Sequence, residues 1–475
     1  MGERINEVDK FTQSFIKKLT PPGSVITETE DIFRRRALGA VMEDQAFAKE
    51  LAPRGTIQSF NLRSDIAKKV IESLGFGSLR VMAMGDIYPP PPVFKDLFQI
   101  RNEATYYSEQ MIREMGPSGF SYYEIDMCKG HPDAREIMIK NFSDSYGFDS
   151  ELLNKLIENS YIVSKGGMRC IEIIFSAFPN EAMNENKTVR EIAPDNTFQM
   201  FWDIVKKVNN NPKTQEHRLD TTQKNGLHLT PEDVDKFYKE NPANIKDVMD
   251  LWYMIAVGNP SGTSAAPDQI AETCKEIIKH NCGSVIVIDC AYLRTMEDKD
   301  AQQVLKLVLN DPEIMKRVII IDSYSKTHSV PEERTGVIMS ANDTLFGTVS
   351  NHDKATTQGS PIYHSGLVKA LHSRPVDSPN RDRAGMFKDM QRLRRNEVAG
   401  LIRFLRSFPE LFDDDQSHLG DAKGIYAFLK LRPGVSALDV AAKTGCLGIP
   451  FNFKSGTYIR LATGRIMEPT YSKIV

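Results

Sequence analysis

Lys326 follows Ser323-Tyr324-Ser325 at the end of the apolar run Val318-Ile319-Ile320-Ile321, and Arg334-Thr335-Gly336 begins eight residues beyond it. The run predicts a strand, and a strand would deliver the lysine to the floor of a site. A partly desolvated amine gives up its proton more easily than one in water and can form a Schiff base with a carbonyl. Arg334 adds a second requirement, because a guanidinium fork suits a phosphate dianion better than a lone ammonium does. An aldehyde carrying a phosphate meets both demands, and pyridoxal 5'-phosphate is such an aldehyde. An isolated Ser-x-x-Lys reads better as ordinary loop residues, so the weight falls on its company.

Two upstream segments supply that company: Val257-Gly258-Asn259-Pro260-Ser261-Gly262-Thr263 and Val285-Ile286-Val287-Ile288-Asp289-Cys290-Ala291-Tyr292. Both sit where a strand would run into a turn. In this order and spacing the set resembles the aspartate aminotransferase superfamily, the fold-type I pyridoxal phosphate enzymes that include the class I and II aminotransferases. The family pattern is Asn-Pro, soon Ser/Thr-Gly, then Asp-x-Ala-Tyr, then Ser-x-x-Lys with an arginine eight beyond the lysine. The resemblance covers roughly residues 79 to 470. Cys290 stands where an acidic residue is common, and Val330-Pro331-Glu332-Glu333 precedes Arg334 where small or apolar residues are usual.

The resemblance implies roles. Lys326 would be the aldimine partner of the resting enzyme and then the base that moves a proton between the substrate and the cofactor. Asp289 would hold the pyridine nitrogen protonated, which makes the ring an electron sink. Asn259 and Tyr292 would hydrogen-bond the ring's 3-oxygen, and Ser323, Ser325 and Arg334 would bind the phosphate. Val163-Ser164-Lys165-Gly166-Gly167-Met168 reads as a strand end, two glycines and a helix start. Helix N-termini present unpaired N–H groups, so the amides of Gly167 and Met168 become the expected phosphate cradle, although two glycines before a helix also suit a plain tight turn.

An aromatic side chain stacks on the ring in such enzymes; Phe198 is the choice in Ala193-Pro194-Asp195-Asn196-Thr197-Phe198, with Phe201 and Trp202 as alternatives. Any one of them reads equally well as core. Gly85 would lie beside the substrate carboxylate, Asn259 near the substrate, and Tyr123 or Tyr122 would reach the neighbouring subunit's phosphate. Arg460, in Ser455-Gly456-Thr457-Tyr458-Ile459-Arg460, matches the arginine that pairs with the substrate carboxylate.

The elements that must position these residues follow from periodicity. From about Phe120 strand and helix signals alternate, which argues for crossover units on a mostly parallel sheet. His131-Pro132-Asp133 opens a helix, Phe387 to Phe408 is a periodic helix that Pro409 would stop, and residues 203 to 245 read as a polar, mobile surface insertion except for a helix start at Pro231-Glu232-Asp233-Val234. The expected fold is α/β, aspartate aminotransferase-like, with a mixed, mostly parallel seven-stranded sheet in a large domain and a smaller α+β domain. The expected division is an N-terminal extension over 1–78, a small domain from 79–115 and 370–475, and a large domain over 116–369.

With 475 residues, a formal net charge of -3 and charges of both signs interspersed, the chain has no basic face for nucleic acid and no polybasic membrane anchor. Its six cysteines form no Cys-x-x-Cys pair, and no metal site is expected. No apolar run reaches membrane-helix length, and a cytoplasmic location is expected. The resemblance implies a homodimer with shared sites and transamination between an amino acid and a 2-oxo acid by a ping-pong mechanism. The alternative is a lyase, decarboxylase or specialised amino-acid modifying enzyme on the same scaffold.

Overall fold

A computed structural model describes residues 2–21, 24, 26–54, 56–82, 91–116, 128–198, 200–221, 227–357, 359–373, 382–413 and 424–463. In chain order the strands are β1 (Arg80–Val81), β2 (Ser160–Ser164), β3 (Thr188–Pro194), β4 (Thr214–Leu219), β5 (Val248–Ile255), β6 (Val285–Asp289), β7 (Val318–Ser323), β8 (Thr335–Met339), β9 (Tyr426–Lys430), β10 (Cys446–Leu447), β11 (Ile449–Phe453) and β12 (Gly456–Ala462). The chain divides into two compact units, one of residues 1–85, 399–420 and 426–465, the other of 86–398, 421–425 and 466–475.

The second unit holds the expected seven-stranded sheet, in the order β2-β8-β7-β6-β5-β3-β4. All neighbouring pairs are parallel except those of β8, which runs against both β2 and β7. The central strands are near-continuous Val/Ile runs because helices cover both faces, so neither face can be polar. On one face Tyr161, Val163, Leu251, Tyr253, Val287, Ile319 and Ile321 pack with Cys170, Ile174, Phe175 and Phe201. Buried Arg190 of β3 grips Asp250 of β5 through two hydrogen bonds of 2.6 and 2.8 Å. Asp250 also accepts from the Tyr238 hydroxyl and the Asn281 amide, so its charge is met on several sides.

The structure corrects one expectation here. Residues 203 to 245 are not a surface insertion: besides the helix expected from Pro231, which runs Pro231–Glu240, they contain the end of the Phe201–Val208 helix and strand β4. β4 reads Thr-Gln-Glu-His-Arg-Leu because it is the sheet's outer strand, paired on one side only, and its exposed positions are free to be polar. The Pro231–Glu240 helix begins at a complete capping box, with Thr230 and Asp233 each satisfying the other's backbone N–H.

In the first unit, the helices Gly2–Leu19, Glu30–Met42, Gln45–Leu51, Thr56–Ser73 and Ala437–Thr444 enclose a core of Phe33, Val41, Ile66, Val70 and Ala441. β9, β12 and β11 form an antiparallel sheet, and β1 pairs with β10. Among the described residues, no helix is long and apolar enough to cross a membrane.

Candidate active site

Side chains alternate across a strand, and that phase decides which residues reach one site. Leu251 and Tyr253 of β5, Val285 and Val287 of β6, and Ile319 and Ile321 of β7 all join the core beneath the Gly167–Asn184 helix. Asp289 and Ser323 continue the same phase and emerge on that face at the strands' carboxyl ends. Asp289 pairs in register with Ile321. Ser323 is therefore one strand over and two residues along, roughly 8 Å away between Cα atoms.

Asp289 accepts from the Tyr253 hydroxyl at 2.5 Å and from the Ala291 amide at 2.8 Å. Burial pushes its carboxyl up to about 6 despite these two donors. A cation brought beside it would relieve that desolvation.

The anion side of the site forms where β2, β7 and β8 meet. Ser164 pairs with Thr335, Val163 with Gly336, and Gly336 with Ser323, so Arg334 enters at the same level. After β2 the chain turns through Lys165 at φ 69° and Gly166 at φ 75°, ψ -167°, the latter a region that only glycine occupies readily. The helix then starts at Gly167. A Cβ on Gly166 would stand 3.4 Å from Arg334 Cζ, and one on Gly167 would stand 3.6 Å from Ser323 Cβ. The first-turn N–H groups, the Ser323 hydroxyl and the Arg334 guanidinium thus converge on one place. Arg334, itself at φ 48°, donates to the Lys165 carbonyl at 3.1 Å. A Cβ on Gly336 would come within 2.7 Å of both Cys170 Sγ and the Gly166 carbonyl carbon, which is why the helix can lie this close to β8.

Lys326 lies on the helical turn Tyr324–Thr327 that caps β7, half-buried between buried Ser325 and Thr327. Ser323 Oγ accepts from the Ser325 amide at 3.2 Å and donates to Ser325 Oγ at 3.0 Å, so both serines belong to the cap. On the other face of the sheet, Asp322 receives Arg294 at 2.7 Å and the Tyr146 hydroxyl at 2.5 Å, anchoring the same strand end from below.

Asn259 and Tyr292 are buried in the turns after β5 and β6. The Asn259 turn is closed by the Gly258 amide on Thr263 O at 2.8 Å and the Gly262 amide on Gly258 O at 2.9 Å. Phe198 sits partly exposed at the margin of the core, whereas Phe201 is buried and stacked on Tyr253 with ring centroids 4.2 Å apart, and Trp202 is buried beside it. Met168 occupies the first turn of the Gly167–Asn184 helix, packed against the same core. Arg460 belongs to the first unit, in β12 opposite Ile449 and Phe428, with its guanidinium over the Tyr426 and Phe451 rings at 4.8 and 5.5 Å. Gly85, Tyr122 and Tyr123 lie outside the described residues.

Among the residues beside Asp289 and the Asn259 turn, Tyr253 and His228 escaped the sequence reading. Tyr253 could have been found, since a tyrosine in strand phase with the end of the neighbouring strand is placed to meet Asp289. His228 could not, because nothing in its polar stretch marks it. Burial pulls His228 down to about 4, so its ring is neutral and carries one N–H. Nδ1 is 3.2 Å from Ile255 O, while Nε2 is 3.1 Å from Thr263 O and 3.3 Å from the Thr263 hydroxyl. A proton on Nδ1 donates to Ile255 O while Nε2 accepts from the Thr263 hydroxyl, and a proton on Nε2 donates to Thr263 O. This ties the end of β5 to the Asn259 turn.

An anion cradle and a buried carboxylate one strand apart, spaced for a pyridine ring with a phosphate arm, fit pyridoxal phosphate. The comparisons with known proteins agree. The family described as "Aminotransferase class I and II" matches residues 126–447. Among solved structures, an aspartate aminotransferase from Rhizobium meliloti has a TM-score of 0.60 at 12% identity, covering 86% of this chain and 91% of that one. An aromatic aminotransferase from Pyrococcus horikoshii OT3 has a TM-score of 0.57 at 13% identity, covering 83% and 94%. An aminotransferase from Staphylococcus aureus has a TM-score of 0.58 at 16% identity, covering 82% and 90%. At these identities the structures speak for the fold alone. No curated protein matches the sequence. The chain belongs to the aminotransferase class I and II family and is a pyridoxal phosphate-dependent transferase.

Proposed function

We propose that the protein moves an amino group from an amino acid to a 2-oxo acid in two half-reactions, with Lys326 as both the covalent holder of the cofactor and the proton carrier. Bound pyridoxal phosphate supplies an electron sink for the bond broken at the substrate α-carbon. The chain's own residues do the rest. Asp289, supported by Tyr253 and the Ala291 amide, keeps a proton on the ring nitrogen. Asn259 and Tyr292 hydrogen-bond the ring's 3-oxygen, and Phe198, the one aromatic of the three candidates left partly exposed, covers a ring face. The amides of Gly167 and Met168, with Ser323, Ser325 and Arg334, bind the phosphate. Lys326 Nζ, once displaced by substrate, would be the base that carries a proton between the substrate α-carbon and the cofactor. Arg460 pairs with the substrate carboxylate, and the active form is a homodimer.

The observation that carries this reading is the meeting of the Gly166-Gly167 helix start, Ser323 and Arg334 on the same sheet face as Asp289. The test is a single half-reaction. Amino acids are added one at a time to the cofactor-loaded protein without an acceptor, and the products are counted. Transamination predicts one 2-oxo acid released per site, with the cofactor recovered in its amine form, and no release from Lys326→Ala. Ammonia or carbon dioxide without the amine form would overturn it in favour of a lyase or decarboxylase.

A further inference from the structure

A helical turn of four residues leaves its last carbonyls without donors of its own. In the Tyr324–Thr327 turn those carbonyls include Lys326 O and Thr327 O, the backbone on which the reactive lysine is mounted. The Arg383–Arg406 helix supplies the missing donors. Arg394 Nη1 donates to Lys326 O at 3.3 Å, and Gln391 Nε2 donates to Lys326 O at 3.4 Å and, closely, to Thr327 O. Three residues apart, the two side chains share one face of their helix. Arg394 Nη2 also donates closely to Ser329 Oγ, and Ser329 holds a left-handed φ of 55° that a serine rarely adopts. Met390, on the same face, receives the Ser329 hydroxyl at 3.3 Å. Arg394 is only 2% exposed and Gln391 5%. Surface chance does not explain a fully buried guanidinium aimed at a main-chain carbonyl and a buried hydroxyl, and its charge suits the carbonyl end of a helical turn.

We infer that Gln391 and Arg394 are positioning residues that hold the Lys326 backbone in the one conformation from which its amine reaches the cofactor's aldehyde carbon. This rests on the assignment of Lys326 made above. Neither residue touches the reacting atoms; their effect passes through the turn. A small displacement at the carbonyl end of that turn slows bond formation at Nζ more than it weakens binding, since Ser323 and Ser325 stand at its opposite end and the other phosphate and ring contacts come from other elements.

The experiment uses full-length protein and Arg394→Met, which keeps an unbranched apolar stem but removes every donor. Pyridoxal phosphate binding is measured by equilibrium dialysis. The time course of covalent fixation is measured by borohydride quenching and peptide mass mapping, and turnover is resolved into kcat and KM. The inference predicts cofactor affinity within about threefold of the parent, fixation at Lys326 slowed at least about tenfold, and a similar loss in kcat with KM changed little. Arg394→Lys, which restores one charged donor, should recover part of the fixation rate. If Arg394→Met does not fold, Gln391→Leu carries the same prediction through the Thr327 carbonyl. Fixation at Lys326 within twofold of the parent in the folded variant would overturn the clamp alone. Fixation of the parent at a different lysine would overturn the Lys326 assignment and the clamp together.

Discussion

With two donors already on its oxygens, the Asp289 carboxyl still sits near 6, because desolvation outweighs the Tyr253 and Ala291 hydrogen bonds. The unfolded chain would ionise this group near 3.8. A raised acid gives stability that is complete below the unfolded value and is lost as pH climbs through the folded one. At pH 8 the charge therefore costs the cofactor-free protein roughly 3 kcal/mol. Asp289→Asn is expected to raise the melting temperature of the cofactor-free protein above pH 7, with the gain vanishing below pH 4. It should also cut transamination by at least about 100-fold, since an amide cannot keep the ring nitrogen protonated. Melting curves across pH on cofactor-free protein, set beside initial rates, check both halves. A variant no more stable at pH 8 than the parent would mean that the carboxylate is not strained. The placement of Asp289 at a strand end, of Lys326 just past one and of Gly166-Gly167 at a helix start was legible from apolar runs and their breaks. His228, Gln391 and Arg394 were not, since each acts on main-chain carbonyls of a segment distant in the sequence.

Elements explain why the cradle is so tight. The Gly167–Asn184 helix can approach β8 only because residue 336 lacks a side chain. Gly336→Ala would press a methyl against Cys170 Sγ and the Gly166 backbone, and overpacking of this kind costs about 1–3 kcal/mol. The helix start should shift away from Ser323 and Arg334, and cofactor affinity by dialysis should fall about tenfold or more. Adding Cys170→Ala should not rescue it, because the Gly166 carbonyl carbon stands as close as the sulfur. Full recovery in the double variant would show that the sulfur, rather than the backbone, sets the limit. The junction of β2 with this helix was readable beforehand, as were the helices opening at Pro132 and ending near Arg406. β4 was not, because a strand paired on one side keeps polar residues and imitates a loop.

At the scale of the whole molecule, the sheet buries a half-satisfied carboxyl far from the lysine. Glu191 of β3 is buried with one oxygen bonded by Asn209 at 3.0 Å and the other without a partner, and Glu216 of β4 stands opposite it in register. Burial pushes its carboxyl up to about 8, so it folds protonated at neutral pH. This contribution to stability is largest below its ordinary value near 4.5 and falls as pH rises through 8. Glu191→Gln is expected to stabilise the protein by on the order of 4 kcal/mol at pH 8, with the difference closing toward pH 4.5. Thermal melts at both pH values test it, and an unchanged gap at low pH would sink it. Cofactor class and the alternation of strand and helix could be read along the chain, because they depend on residue identity and on spacings of a few positions. Which side chains share a sheet face came only with folding. The register of β2 with β8 joins residues more than 150 positions apart, and no local pattern encodes such a pairing.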